Sequence, residues 1–172
     1  MNRDHLLHLD PDNNVNVMND NTDIFNCKYT SVDTFQTIKQ NFNNGLSIIC
    51  FNIRSFNRNA DEFLAYLTLC KHTFDIIVLT ETWGSDELHT LFHIPGYNSL
   101  HNYRKNKKGG GVSIFIRNTY KYMPIDAFDI SEEFLESLAV NVYYPGSTNP
   151  LKVLGVYRPP KGNTVLMMLQ TD

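Results

Sequence analysis

Two apolar runs of strand length, separated by one amphipathic segment, constrain the fold of this chain more than any other feature. The runs are "LSIICFNI" at residues 46–53 and "DIIVLTE" at residues 75–81. Between them, "NRNADEFLAYLTLCKH" repeats apolar residues at helical spacing, and Asn57 or Asn59 is the predicted N-cap. Strand, helix and strand in this order predict a βαβ unit whose two parallel strands are buried on both faces.

The rest of the chain predicts an α/β protein with a mixed sheet. "GVSIFIR", "SLAVNVYY" and "LKVLGVYR" are separated by turn-forming residues and predict antiparallel strands. A short helix is expected in "KYTSVDTFQTIKQNF", with Thr30 or Ser31 as N-cap. Residues 1–27 are rich in Asn and Asp without sustained periodicity, so we expect a disordered or irregular leader before one domain at residues 28–172.

Composition narrows the classes of protein to consider. A net charge of −3 over 172 residues argues against coating nucleic acid through bulk charge, and leaves room for a local basic patch. No segment approaches the roughly 20 apolar residues of a membrane span. Cys27, Cys50 and Cys70 are odd in number and widely spaced, which favours free thiols in a reducing compartment, with Cys50 and Cys70 buried. We therefore expect a cytoplasmic or nuclear protein without membrane contact.

Polar side chains stand where the two apolar strands end. Asn52 lies near the end of the first run and Glu81 at the end of the second. In open α/β sheets, ligands gather at the carboxyl ends of parallel strands. A hard cation such as Mg²⁺ prefers one or two carboxylates, with waters and substrate oxygens completing its shell. The residues alone leave two interpretations open: an ion site, or polar residues that only end strands and cap turns.

Four segments resemble a known family in their order and spacing. They are "FNIRSFNRNADEF", "IVLTETW", "GGGVSIFI" and "GVYRPP", and the similarity covers about residues 28–163. Together they resemble the opening half of the endonuclease domain that accompanies the reverse transcriptase of non-LTR (LINE-like) retrotransposons. That domain belongs to the endonuclease/exonuclease/phosphatase family. The "NIRS" and "YRPP" variants favour this branch over a phosphatase or lipid phosphodiesterase.

The resemblance implies a fold, a reaction and a set of site residues. It implies a four-layered α/β sandwich and Mg²⁺-dependent hydrolysis of DNA phosphodiester bonds, with Mn²⁺ as a substitute ion and chromosomal DNA nicked to prime reverse transcription. Asn52 matches the Asn of the first family motif, and Glu81 matches the metal-binding Glu of the second. Tyr157 matches the Tyr whose hydroxyl faces the scissile phosphate.

Basic residues near these motifs are the candidate DNA contacts. They are Arg54, Arg104, Lys105, Lys107, Lys108 and Arg158. The loop "YRKNKKGGGV" is not a phosphate-binding P-loop, because no G-K-[ST] follows it. It is either a solvated hairpin turn or a basic loop that touches DNA phosphates and contributes salt-dependent affinity.

The later motifs of the resembled family do not occur in this sequence after Tyr157. In the family, a Gly-Asp-Phe-Asn, a later Asp and a Ser-Asp-His orient or deprotonate the water and stabilise charge on the phosphate. We therefore expect a truncated N-terminal portion of the domain, a partial sandwich with its second half largely missing, that binds metal weakly and is catalytically incomplete. Whether it acts as an enzyme stays open. The alternative is a non-catalytic module that binds nucleic acid, or a protein partner that covers the open face.

Overall fold

The computed structural model describes residues 31–38, 45–85, 92–104, 108–132 and 134–159. The predicted leader, residues 1–27, lies outside this part of the chain. In chain order the elements are α1 (Val32–Ile38), β1 (Ile48–Asn52), α2 (Phe56–Cys70), β2 (Ile76–Thr80), β3 (Tyr97–Asn102), β4 (Val112–Arg117), β5 (Lys121–Pro124), a 3-10 turn (Asp126–Phe128), β6 (Ile130–Glu132), β7 (Leu135–Tyr143) and β8 (Leu151–Tyr157). None of the helices in these ranges has the length and apolar character that crossing a membrane requires.

The strands form two four-stranded sheets, and the predicted α/β fold with a mixed sheet is confirmed. The first sheet has the order β1-β2-β4-β3, in which β1 and β2 run parallel and the other pairs antiparallel. In the second sheet, β7 pairs antiparallel with β5, β6 and β8. The parallel pair is the predicted βαβ unit, with α2 as its connection.

Two apolar cores separate three layers in the described residues. One core lies between the helices and the first sheet and contains Phe63, Leu79 and Phe115. The other lies between the two sheets and contains side chains of β2, β4, β7 and β8. Gly155 of β8 faces the first sheet across this second core. A Cβ at this position would stand 2.8 Å from Val112 Cγ1. The missing side chain therefore permits the sheets to pack this closely.

The first strand departs from the prediction that both parallel strands are buried on both faces. β2 is buried over nearly its whole length, but Ile48 of β1 is 47% exposed and Cys50 is exposed. The reason is that one face of β1, with Ile49 and Phe51, packs on the helical core, while the opposite face contributes no side chain to the core between the sheets. The predicted burial of Cys50 is wrong, that of Cys70 is confirmed, and Cys27 lies outside the described ranges.

The start of α2 also differs from the prediction. The helix begins at Phe56 with Ser55 at the N-cap, and Ser55 makes no side-chain capping bond. Asn59, a predicted cap, instead donates from Nδ2 to the carbonyl oxygens of Ile53 at 2.8 Å and Arg54 at 3.0 Å. Asn59 therefore holds the turn that leads out of β1. In α1, the predicted Ser31 cap is confirmed, because the Thr34 amide donates to Ser31 Oγ at 3.2 Å.

The buried carboxylate of Asp75 lies at the end of the first sheet where β1 and β2 begin. Asp75 accepts hydrogen bonds from the Ser47 amide at 2.8 Å, the Tyr120 hydroxyl at 2.8 Å and the Arg117 guanidinium at 3.1 Å. Burial by itself raises the pKa of Asp75, but these hydrogen bonds outweigh it and hold the pKa below its ordinary value. Asp75 thereby sets the register of β1, β2 and β4, so the far ends of these strands are positioned as a unit.

The outer face of the second sheet carries exposed apolar side chains. Met123, Tyr143, Leu154 and Val156 are 42–52% exposed, and the strand register places them all on the face turned away from the inter-sheet core. The outer face of the second sheet is the surface that the expected protein partner would cover. That such a partner exists stays a prediction.

Candidate metal and phosphate site

The carboxylate of Glu81 is where three predicted residues meet. Asn52 donates from Nδ2 to Glu81 Oε1 at 3.0 Å, and the Tyr157 hydroxyl donates to the same oxygen at 3.0 Å. Asn52 ends β1, Glu81 follows β2, and Tyr157 ends β8. The site therefore lies at the carboxyl ends of strands from both sheets.

The Asn52 amide is held in a single orientation. The strand register pairs Asn52 with Thr80, the residue before Glu81, so the two side chains emerge from adjacent strand ends. The backbone amide of Arg54 donates to Asn52 Oδ1 at 3.2 Å. Because Oδ1 is engaged there, Nδ2 faces the carboxylate. Asn52 thus orients Glu81.

The backbone around Glu81 is strained. Arg54, Ser55, Glu81 and Trp83 all have positive φ, with values of 48°, 90°, 53° and 55°. Each such residue costs on the order of 1–3 kcal/mol and persists only where its surroundings impose the conformation. One restraint is direct, since the Ser55 amide donates to the Glu81 carbonyl at 2.7 Å. The turns after β1 and β2 are therefore bonded together at the site.

A glycine turn supports Trp83 from the other side. The Trp83 amide donates to the Gly110 carbonyl at 2.9 Å. Gly109, Gly110 and Gly111 have φ values of 102°, 70° and 90°, which favour glycine. A Cβ on Gly110 would collide with the carboxylate of Glu136. The "GGG" of the sequence is thus a tight turn packed between Trp83 and a buried acid.

Glu136 is a residue of this region that the sequence interpretation missed. Its side chain is fully buried and accepts hydrogen bonds from the Gly111 amide and from Arg104 Nε, with which it also forms an ion pair. In the register of β7 and β8 it stands directly opposite Tyr157.

One signal in the sequence could have identified Glu136. In β7, alternate residues Leu138, Val140 and Val142 point into the inter-sheet core, and Glu136 is in phase with them. An acid at an inward-facing strand position is costly to bury unless it is paired. The alternation of inward and outward residues along β7 therefore indicated that Glu136 is buried and paired.

The hydroxyl of Tyr157 remains protonated far above neutral pH. Burial, the hydrogen bond to Glu81 and the negative charges of Glu81 and Glu136 raise the pKa of Tyr157 to about 12, while Arg104 opposes the shift. Tyr157 is therefore a hydrogen-bond donor under physiological conditions, and not a base.

The predicted DNA contacts occupy different environments. Arg54, Lys108 and Arg158 are exposed. Arg104 is 10% exposed, and its guanidinium is paired with Glu136. Lys105 and Lys107 lie outside the described residues. The part of the basic set that faces solvent here is therefore Arg54, Lys108 and Arg158.

The donor set around Glu81 fits a hard cation that draws most of its ligands from water and substrate. Asn52 and Tyr157 both engage Oε1, and Oε2 accepts no hydrogen bond from the described residues. Within those residues there is no group of three or more His, Cys, Asp or Glu side chains that could hold a metal ion. A carboxylate with one oxygen free of such bonds suits Mg²⁺, which keeps several waters and binds through one or two carboxylates.

Comparison with known protein families places this geometry in context. The profile of the Endonuclease/Exonuclease/phosphatase family matches residues 49–167, a range that contains Asn52, Glu81 and Tyr157. A comparison with curated proteins gives no significant match. The matched family consists of nuclease- and phosphatase-type hydrolases that generally depend on a divalent metal ion. With about two thirds of its length matched, this chain belongs to the endonuclease/exonuclease/phosphatase family.

Proposed function

We propose that this chain binds Mg²⁺ or Mn²⁺ through Glu81 and presents the ion to a phosphodiester of DNA. The observation that carries the proposal is the convergence of Asn52 and Tyr157 on a single oxygen of Glu81. With both donors on Oε1, Oε2 accepts no hydrogen bond from the described residues and is the oxygen proposed to hold the ion. Family membership supports the hydrolase class and the dependence on a divalent metal.

Each residue has a distinct part in this proposal. Glu81 is the ion ligand, and Asn52 orients its carboxylate. Tyr157 keeps its proton and donates it to Glu81, so donation to a phosphate oxygen would exchange this bond for a new one. The bound ion supplies Lewis-acid stabilisation of charge on the phosphoryl group.

Exposed cations near the site supply affinity for the DNA backbone. Arg54 follows Asn52 in the chain, and Arg158 follows Tyr157. Lys108 precedes the glycine turn that contacts Trp83. Charges placed this way attract phosphates without reading sequence, so we infer a nucleic-acid contact that weakens as salt rises.

We further propose that the chain derives from a retrotransposon endonuclease and that, by itself, it binds metal and DNA without cleaving. The "NIRS" and "YRPP" motifs around Asn52 and Tyr157 support the origin. Hydrolysis needs a group that deprotonates or orients water. The three site residues supply one ligand and two hydrogen-bond donors, which supports binding ahead of catalysis.

Metal binding is tested by titrating the purified chain with Mn²⁺ and measuring the free ion by electron paramagnetic resonance. We expect weak, saturable binding that Glu81→Gln abolishes, because the amide loses the charge and keeps the size. Glu62→Gln, which removes an exposed carboxylate from α2, is the matched control and should bind as the parent does. Binding that persists unchanged in Glu81→Gln would overturn the assignment of Glu81 as ligand.

Cleavage is tested separately on supercoiled plasmid with Mg²⁺ or Mn²⁺. We expect the plasmid to be bound and to remain supercoiled. Nicking that disappears in Glu81→Gln would overturn the proposal that the chain does not cleave, while supporting Glu81 as the ligand. If the parent chain bound neither metal nor DNA, the proposed function as a whole would be overturned.

A further inference from the structure

We propose that Glu136 is the positioning residue of this site, where its buried carboxylate fixes the glycine turn at residues 109–111 and, through that turn, the backbone that carries Glu81. The positioning role rests on the proposed function, since it concerns the same metal site. The contacts of Glu136 that support this role are present in the structure whether or not the site binds metal.

The first step is the pair of bonds that Glu136 makes. Its Oε2 accepts from the Gly111 amide and its Oε1 accepts from Arg104. The carboxylate is fully buried and Arg104 is nearly so. Removing two charges from water is costly unless their mutual attraction and hydrogen bonds offset the lost hydration. An apolar pair would fill this space at lower cost, so the charges suggest a role other than stability.

The second step leads from the glycine turn to Glu81. The carbonyl of Gly110 accepts from the Trp83 amide at 2.9 Å, and that of Gly111 accepts from the Thr82 amide at 3.4 Å. These are the two residues after Glu81, which itself has a φ of 53°. A strained ligand needs restraint on both sides. Ser55 supplies it on one side, and the turn held by Glu136 supplies it on the other.

The third step connects Glu136 to the other half of the site. Glu136 and Tyr157 are cross-strand partners in β7 and β8, on the face that meets the first sheet. One buried acid is thus bonded to the turn beside the ligand and is paired across the strands with Tyr157.

The sole tryptophan of the chain, Trp83, reports on this arrangement without any need for activity. Its amide is bonded to the glycine turn, so its emission responds when the turn moves. We expect Glu136→Gln to shift the Trp83 emission and to weaken Mn²⁺ binding roughly 10- to 100-fold, the range for partners that orient metal ligands.

Two further variants separate positioning from loss of fold. The double variant Arg104→Leu/Glu136→Met removes both charges together, so it leaves no unpaired ion in the core and should fold. We expect it to retain cooperative unfolding and to show the same loss of Mn²⁺ affinity and shift of Trp83 emission. Glu132→Gln changes an exposed acid on the neighbouring strand and should alter none of these readouts.

The outcomes distinguish this inference from the proposed function. Parent-like Trp83 emission and Mn²⁺ affinity in the folded double variant would overturn the role of Glu136 while leaving Glu81 as the ligand. If the parent binds no Mn²⁺ but the double variant still shifts the Trp83 emission, Glu136 positions the turn and the metal function is wrong.

Discussion

The hydroxyl of Tyr157 lies 3.0 Å from Glu81 Oε1 although 76 residues separate the two in sequence. Tyr157 belongs to the second sheet, and Glu81 follows a strand of the first. Asn52 donates to the same oxygen from the edge strand β1. The geometry of the site is therefore set by the packing of one sheet on the other, and less by any single loop.

Replacing Gly155 by valine should disturb the site through that packing. The new Cβ would stand 2.8 Å from Val112 Cγ1 and 3.0 Å from Val78 Cγ1, so β8 must move away from the first sheet. Overpacking of this kind costs about 1–3 kcal/mol of unfolding free energy. Because Tyr157 is two residues further along β8, its bond to Glu81 should weaken as well. Urea unfolding and Mn²⁺ affinity should both decrease.

The matched control for that change lies on the same strand. Leu154→Val alters an exposed side chain on the outer face of β8 and should leave both quantities close to those of the parent. Lower stability with full Mn²⁺ affinity in Gly155→Val would show that the site does not depend on sheet spacing.

Replacing Tyr157 by phenylalanine should change how stability depends on pH. The folded state raises the pKa of this phenol from about 10 to about 12. A raised pKa means that the contribution is fully present below pH about 10 and is lost as pH rises through about 12. The unfolding free energy of the parent should therefore fall more steeply across this interval than that of Tyr157→Phe. Urea denaturation at a series of pH values measures the difference, and parallel profiles would contradict the prediction.

Reversing exposed charges near the site should reduce DNA affinity and its dependence on salt. If Arg54 and Lys108 each contact one phosphate, then each change to Glu should lower the slope of log affinity against log salt by about one. Fluorescence anisotropy with labelled duplex DNA at several salt concentrations gives the slope. Lys152→Glu makes the same charge change towards the other end of β8 from Tyr157 and serves as control. Equal slopes for all three variants would exclude a contact at Arg54 and Lys108.

Much of the site was predictable because it follows from strand ends. Asn52 and Glu81 end adjacent parallel apolar runs, so the pattern alone offered an ion site there as one of two interpretations. Tyr157 was predictable only through the resemblance of "GVYRPP" to a family motif, since nothing local to β8 indicates which sheet edge it meets. Their roles in binding and catalysis remain predictions.

Other features depended on contacts that a linear pattern does not contain. The apolar run of β1 is compatible with burial on one face or two, and the decision lies with the second sheet, whose core includes no β1 side chain. Ser55 precedes α2 because the turn after β1 is bonded to Glu81, which overrides the capping preference of Asn59. β3 was missed because "YNSLHN" has little of the apolar alternation by which strands are recognised.

The meeting of three strand ends at Glu81 also links metal to folding. A site assembled from the ends of β1, β2 and β8 does not exist until both sheets have formed and docked, and closing so long a segment of chain is slow. An ion that binds only the docked form stabilises it by mass action, in proportion to the logarithm of its concentration. If Glu81 binds the ion as proposed, the apparent metal affinity reports how completely the sandwich has assembled, and divalent ions should stabilise the folded protein.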